Sequence, residues 1–215
     1  MGFDFASILM HVTKKTFSPS GDGDESSDCR NARGCAATNT LAFLDYEHME
    51  IHSGDHYFLT DSKTINAASS DAVDYLLVVP DTTKWVHMTI DADGSAKTAM
   101  YLYEGATVTP TSDGAYTGWT TEIGYNNNRN SGNTPGLAVY SKAGTSDPSS
   151  DYADPTLIYE YSGGSDTNQS RTPSAVRASR EIILKQGIKY IFRLVSGTAS
   201  NLCNVVLRWY EHTNY

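Results

Sequence analysis

Long apolar runs are missing from this chain of 215 residues. No stretch approaches the ~20 consecutive apolar residues of a membrane-spanning helix, so no membrane partner is expected. Basic runs are missing too. Asp and Glu outnumber Lys and Arg by 25 to 16, for a net charge of −9. Without a patch of positive charge, nucleic acid is not an expected partner either. The first residues put Asp4 where a secretory leader carries positive charge, and their apolar run is short, so no leader is read there. Cysteine is scarce: Cys29, Cys35 and Cys203 are odd in number, which allows one intramolecular pair at most. Cys29 and Cys35 could close a small loop, but in a cytoplasmic product free thiols are the expectation, and the Asn168-Gln-Ser sequon then has no consequence.

Catalytic signatures are equally absent. The chain has no Gly-x-Ser-x-Gly elbow, no phosphate-cradling Gly-x-x-x-x-Gly-Lys loop and no His-Glu-x-x-His. A hydrolase built on non-contiguous carboxylates leaves no fixed spacing, but nothing marks one here, and neither an enzyme nor a cofactor is expected. Three of the six histidines, His48, His52 and His56, do lie four residues apart. On a helix they would stack on one face and could ligate zinc. Ser53-Gly54-Asp55 interrupts them with turn-forming residues, so the stretch is read as strand and turn rather than helix, with no metal. Asp22-Gly-Asp24-Glu25-Ser-Ser-Asp28 alternates oxygen ligands as a calcium loop does, yet lacks that loop's glycine and closing Glu, and reads as a solvated linker.

What is present divides the chain in two. Residues 1–45 are polar, acidic and glycine-bearing after an apolar start, and read as an N-terminal arm and linker. Residues 46–215 hold short β-prone runs punctuated by turn residues: 56–59, 72–79, 85–90, 97–104, 136–140, 156–161, 181–185, 188–195 and 203–210. Asp91-Ala-Asp-Gly94 reads as a hairpin-like turn, and 105–133 as a long surface loop. No segment keeps a helical period and no repeat is found, so the expected fold is all-β, a two-sheet β-sandwich of jelly-roll topology. Leu76, Val78, Trp85, Tyr101, Leu137, Ile183, Phe192 and Trp209 are the expected contributors to the core or its rims.

Several stretches together resemble a family of small virion proteins of tailed bacteriophages that includes capsid decoration, or cement, proteins. They are Glu50 to Tyr57, Pro80 to Met88, Asn127 to Asn130, Glu181 to Arg193 and the ending Arg208-Trp-Tyr-Glu-His-Thr213. The resemblance spans roughly residues 46–215. It implies a virion structural protein on the capsid exterior, made in the host cytoplasm, whose partner is the major capsid protein. The same sandwich could instead serve as a receptor- or glycan-binding module of a tail fibre or baseplate. Neighbouring copies are expected partners as well, as a homotrimer or another cyclic oligomer. Candidate contacts are the apolar stripe Phe3, Phe5, Ile8 and Leu9, with Lys14 and Lys15 of the arm, and the loop residues Asn127 and Arg129.

Overall fold

A computed structural model describes residues 32–35, 40–43, 46–65, 72–110, 114–145, 155–164, 176–177 and 181–213. The chain divides into two units, residues 1–49 and 50–215. In the first, β1 (Ala32–Cys35) pairs antiparallel with β2 (Thr40–Phe43), a ribbon that the polar composition of the arm does not announce.

The helix α1 (Tyr46–Ser53) overturns the reading of the first part of the histidine stretch as non-helical, while the strand expected from His56 is there. The expected turn is real, but it ends a helix. Gly54 takes φ +81°, and the Asp55 and Gly54 amides donate to the carbonyls of Glu50 (3.1 Å) and Ile51 (3.2 Å). That is the six-to-one and five-to-two bonding of a Schellman cap, and it requires a left-handed residue at the position Gly54 fills. Gly54 is the break that the sequence places here, whereas Ser53 is the last helical residue; turn formers mark where an element stops and leave open the conformation of the residues before them.

The second unit is a two-sheet sandwich. Its strands are β3 (His56–Ile65), β4 (Ala72–Val78), β5 (Lys84–Gly94), β6 (Thr98–Glu104), β7 (Thr120–Glu122), β8 (Tyr125–Asn126), β9 (Ala138–Thr145), β10 (Thr156–Gly163), β11 (Val176–Arg177), β12 (Ile182–Leu184), β13 (Lys189–Ser196) and β14 (Asn201–Thr213). One sheet runs β10-β6-β13-β4-β9-β7. The other runs β11-β5-β14-β3-β8, with β12 further along the same flank of β5. Reduced to β3, β4, β5, β6, β10, β12, β13 and β14, the pairing is first-eighth-third-sixth in one sheet and second-seventh-fourth-fifth in the other. That is a jelly roll, as expected from the sequence. The segment between β6 and β10 supplies β7, β8 and β9, which widen both sheets beyond β4 and β3.

The core lies between the sheets. Alternate residues of β14 (Cys203, Val205, Leu207, Trp209) and β5 (Val86, Met88, Ile90) meet Val73, Tyr75, Leu77, Leu102, Phe192 and Leu194 of the facing sheet. Of the expected core residues, Leu137, Phe192 and Trp209 are there. Trp85 and Ile183 are not: they are 36% and 48% exposed, because their neighbours Val86, Ile182 and Leu184 occupy the inward positions and a shift of one residue changes face. Leu76 is fully buried but on the opposite face of β4, in a second cluster with Ile191, Ala106, Val108 and Tyr116, against which the half-buried Val78 packs. Tyr101 is half-buried, its ring 6.2 Å from that of Tyr103.

The stretch 105–133 is thus no mere surface loop: its apolar residues cover one sheet, and it adds two short strands. Asp91 to Gly94 is not a turn either. It continues β5, with Asp91 and Asp93 bonded to Arg208 and Asn204 on β14. The chain turns one step later, where the buried Asn201 amide accepts from the Ala96 N–H (2.9 Å) and donates to the Lys97 carbonyl (3.2 Å).

The widening segment is tied to β14 by the buried carboxylate of Glu211, which accepts the N–H groups of Gly136 (2.9 Å) and Leu137 (2.9 Å) and the Trp209 indole N–H (3.0 Å). Replacing Glu211 by Leu leaves two buried donors, the Leu137 N–H and the Trp209 indole, and the part-buried Gly136 N–H without their acceptor. The expected loss is about 3–5 kcal/mol of unfolding free energy, measured by urea denaturation. A loss below about 1 kcal/mol would show that the tie is not needed.

Candidate functional site

Alternation along β14 sends Trp209 and Glu211 toward the core and Tyr210 and His212 to the outer face of the second sheet. The antiparallel register then sets Tyr210 directly opposite both His56 on β3 and His87 on β5. Three of the chain's six histidines, His56, His87 and His212, converge around Tyr210 in this way. His56, His87 and Tyr210 are buried although they lie on the outer face.

The groups satisfy one another. The Tyr210 hydroxyl donates to Glu181 Oε1 (2.8 Å) and lies 3.1 Å from His87 Nδ1. His87 Nδ1 also bonds Glu181 Oε1, which assigns the His87 proton to Nδ1. His87 Nε2 is then a lone pair, and it faces His212 Nε2 at 3.0 Å, so His212 donates across the gap. The rings reinforce the polar bonds: His87 stacks on Tyr210 at 4.6 Å, and His212 meets His87 edge-on at 4.5 Å. On the far side, His56 Nδ1 pairs with the Asn127 side-chain amide at 2.7 Å.

Chemically, this is a proton-sharing network. The His87–His212 contact holds one hydrogen; with both rings protonated, two N–H groups would point at each other. Burial, and then the neighbouring His87, push the His212 pKa below the ordinary histidine value, while the carboxylates of Glu50, Glu181 and Asp55 pull it back up. Lys84 holds Asp55 at 2.9 Å. Among the described residues, no group of three or more His, Cys, Asp or Glu side chains is placed to hold a metal ion. The three histidines spaced four residues apart are not one group: His48 and His52 are exposed helix residues, and His56 is a buried strand residue.

No family model, curated protein or solved structure matches the chain.

Of the candidate contacts read from the sequence, the structure describes Asn127 and Arg129, and one of them belongs to this network. Asn127 belongs to it through His56, whose carbonyl also accepts the Asn127 backbone N–H at 2.9 Å. Arg129 is exposed, its guanidinium carbon 5.6 Å from the centre of the Tyr125 ring. Phe3, Phe5, Ile8, Leu9, Lys14, Lys15, Cys29, the acidic linker and Asn168 lie outside the described residues. Cys203 is a free, buried thiol on β14, its pKa pushed up to about 11 by burial. Nothing in the sequence marks His87, Glu181, Tyr210 and His212 as site residues. They are far apart in the chain, and only strand register joins them.

The lowered His212 pKa fixes a sign. A histidine that resists protonation in the folded state contributes stability that is complete above its unfolded value, about 6.5, and is lost as pH falls through the lower folded value. Thermal unfolding of the wild type should therefore weaken progressively below about pH 6.5, and His212→Gln should flatten that slope. Identical slopes in the two proteins would remove His212 as the source.

Proposed function

We propose that this protein is a structural component of a tailed-bacteriophage particle: a decoration protein that binds major capsid subunits on the outside of the head and catalyses no reaction. One observation carries the reading. The stretches that resemble phage virion proteins, scattered from residue 50 to residue 213, meet in one place in the fold. Glu50 to Tyr57 supplies Gly54 and His56, Pro80 to Met88 supplies His87, Asn127 reaches His56, and Glu181 joins Tyr210 of the Arg208 to Thr213 ending. A resemblance produced by shared composition would have no reason to bring these stretches together, two bonded groups joined by the stacking of His56 on Tyr210. The polar groups there are turned on one another, as suits a part whose task is to hold shape. A jelly roll widened by an insertion that also covers one sheet supplies a rigid body, and rigidity is what a clamp between capsid subunits requires.

In this reading the arm is the anchor. Phe3, Phe5, Ile8 and Leu9 form an apolar stripe that would gain by packing on a neighbouring subunit, with Lys14 and Lys15 pairing with acidic capsid surface and Ser18 to Asp28 as spacer.

Deleting residues 1–28 should leave the melting temperature unchanged and lower occupancy on undecorated capsids, measured by quantitative gel densitometry of purified particles. The full-length protein should be present in many copies per head. A handful of copies located on the tail would instead favour the fibre or baseplate module. Unchanged occupancy of the truncated protein would remove the anchor.

A further inference from the structure

A sheet edge presents unpaired N–H and C=O groups, and folded proteins usually blunt it with very short strands, charges or proline. Among the described residues, three of the four edges of the sandwich are blunted in that way. The first sheet ends on β7, of three residues, and the second on β8, of two, and on β11 and β12, of two and three. The fourth edge is β10, with eight residues. Among the described residues, β10 pairs with β6 alone. Leu157, Ile158 and Tyr161 are 45%, 42% and 40% exposed on it. Its only charge is Glu160, in a chain of net charge −9. A bulge at Ile158, between the paired Leu157 and Tyr159, interrupts the first part of the strand, and pairing with β6 is regular from Tyr159 to Gly163.

The geometry points to a second copy of this chain as the occupant of that edge, paired antiparallel, β10 to β10, about a two-fold axis through Tyr161. The sequence selects this centre. An axis through Glu160 would set two carboxylates face to face, which is unfavourable. An axis through Tyr159 would run the bulge into the pairing. With the axis at Tyr161, Glu160 lies opposite Ser162 of the partner subunit, whose hydroxyl can donate to it. Tyr159 lies opposite Gly163 of the partner subunit, where an aromatic ring covers the backbone that glycine leaves bare. Symmetry makes each of these contacts twice. Tyr161 pairs in register with Met100, a core residue, and so stands at the open margin of the core. Two copies of it would close that margin and join two six-stranded sheets into one.

The inference gives form to the self-association expected from the sequence and does not depend on capsid binding. Sedimentation equilibrium of the full chain should show a dimer. Ser162→Glu sets a second carboxylate opposite Glu160 of the partner subunit and should weaken association about tenfold or more. Position 162 is exposed, so its melting temperature should hold. Glu160→Ser combined with Ser162→Glu restores one carboxylate per pair and should restore the dimer. If Ser162→Glu does not fold, Tyr161→Arg gives the same reading, since two like charges would meet on the axis. A wild-type monomer at millimolar concentration overturns the proposal, as does a dimer indifferent to Ser162→Glu, or one that the double substitution fails to rescue. Occupancy on capsids is scored separately: a dimer absent from particles sinks the decoration role and leaves this interface standing, and a monomer that still decorates does the reverse.

Discussion

The jelly roll depends on one strand. β14 lies inside its sheet between β3 and β5, paired along nearly its whole length with both. Its inward side chains build the core, its outward ones build the histidine network, and the Glu211 carboxylate near its end holds the segment that widens both sheets. A buried carboxylate is costly unless its hydrogen bonds are made. Here two backbone amides and an indole make them, so the charge that would be a liability becomes the fastener.

Close approach of backbone to β14 makes that fastening possible. A side chain at Gly136 would put its Cβ 2.8 Å from Glu211 Oε2, and one at Gly124 would put it 2.6 Å from the Trp209 ring. Both glycines let the widening segment lie close against the side chains of β14. The same segment then covers the other sheet with Val108 and Tyr116, where the Lys189 ammonium bonds the Val108 carbonyl at 2.6 Å and lies 5.5 Å from the centre of the Tyr116 ring. Covering explains why β4 is apolar at six of its seven positions: it is buried on both faces. Even Asp74 in that strand is fully buried, with Arg193 at 3.8 Å directly across the strand pair.

The two surfaces that remain interesting have opposite character. The histidine network is inward-looking, its polar atoms spent on one another. The β10 edge is outward-looking, with apolar side chains in water and one flank of its backbone open among the described residues. A virion protein would need both properties, a body that keeps its shape and an edge that takes a neighbour.

The sequence by itself determined the class of fold. Runs of β-branched and aromatic residues between turn formers specify strands, and the lack of a helical period excludes a helical bundle. The jelly roll, the break at Gly54 and the core places of Leu137, Phe192 and Trp209 were all legible because they rest on local chemistry or on strong hydrophobicity. Only tertiary structure decided which face each strand turns inward. Trp85 and Ile183 are as apolar as their buried neighbours, and a period of two cannot be phased without its partner strand. Asp91 to Gly94 looked like a turn because its cross-strand partners, Arg208 and Asn204, lie more than a hundred residues away. Likewise His87, Glu181, Tyr210 and His212 form a site only because antiparallel register brings distant strands side by side, and register is set by the packing of the whole sandwich.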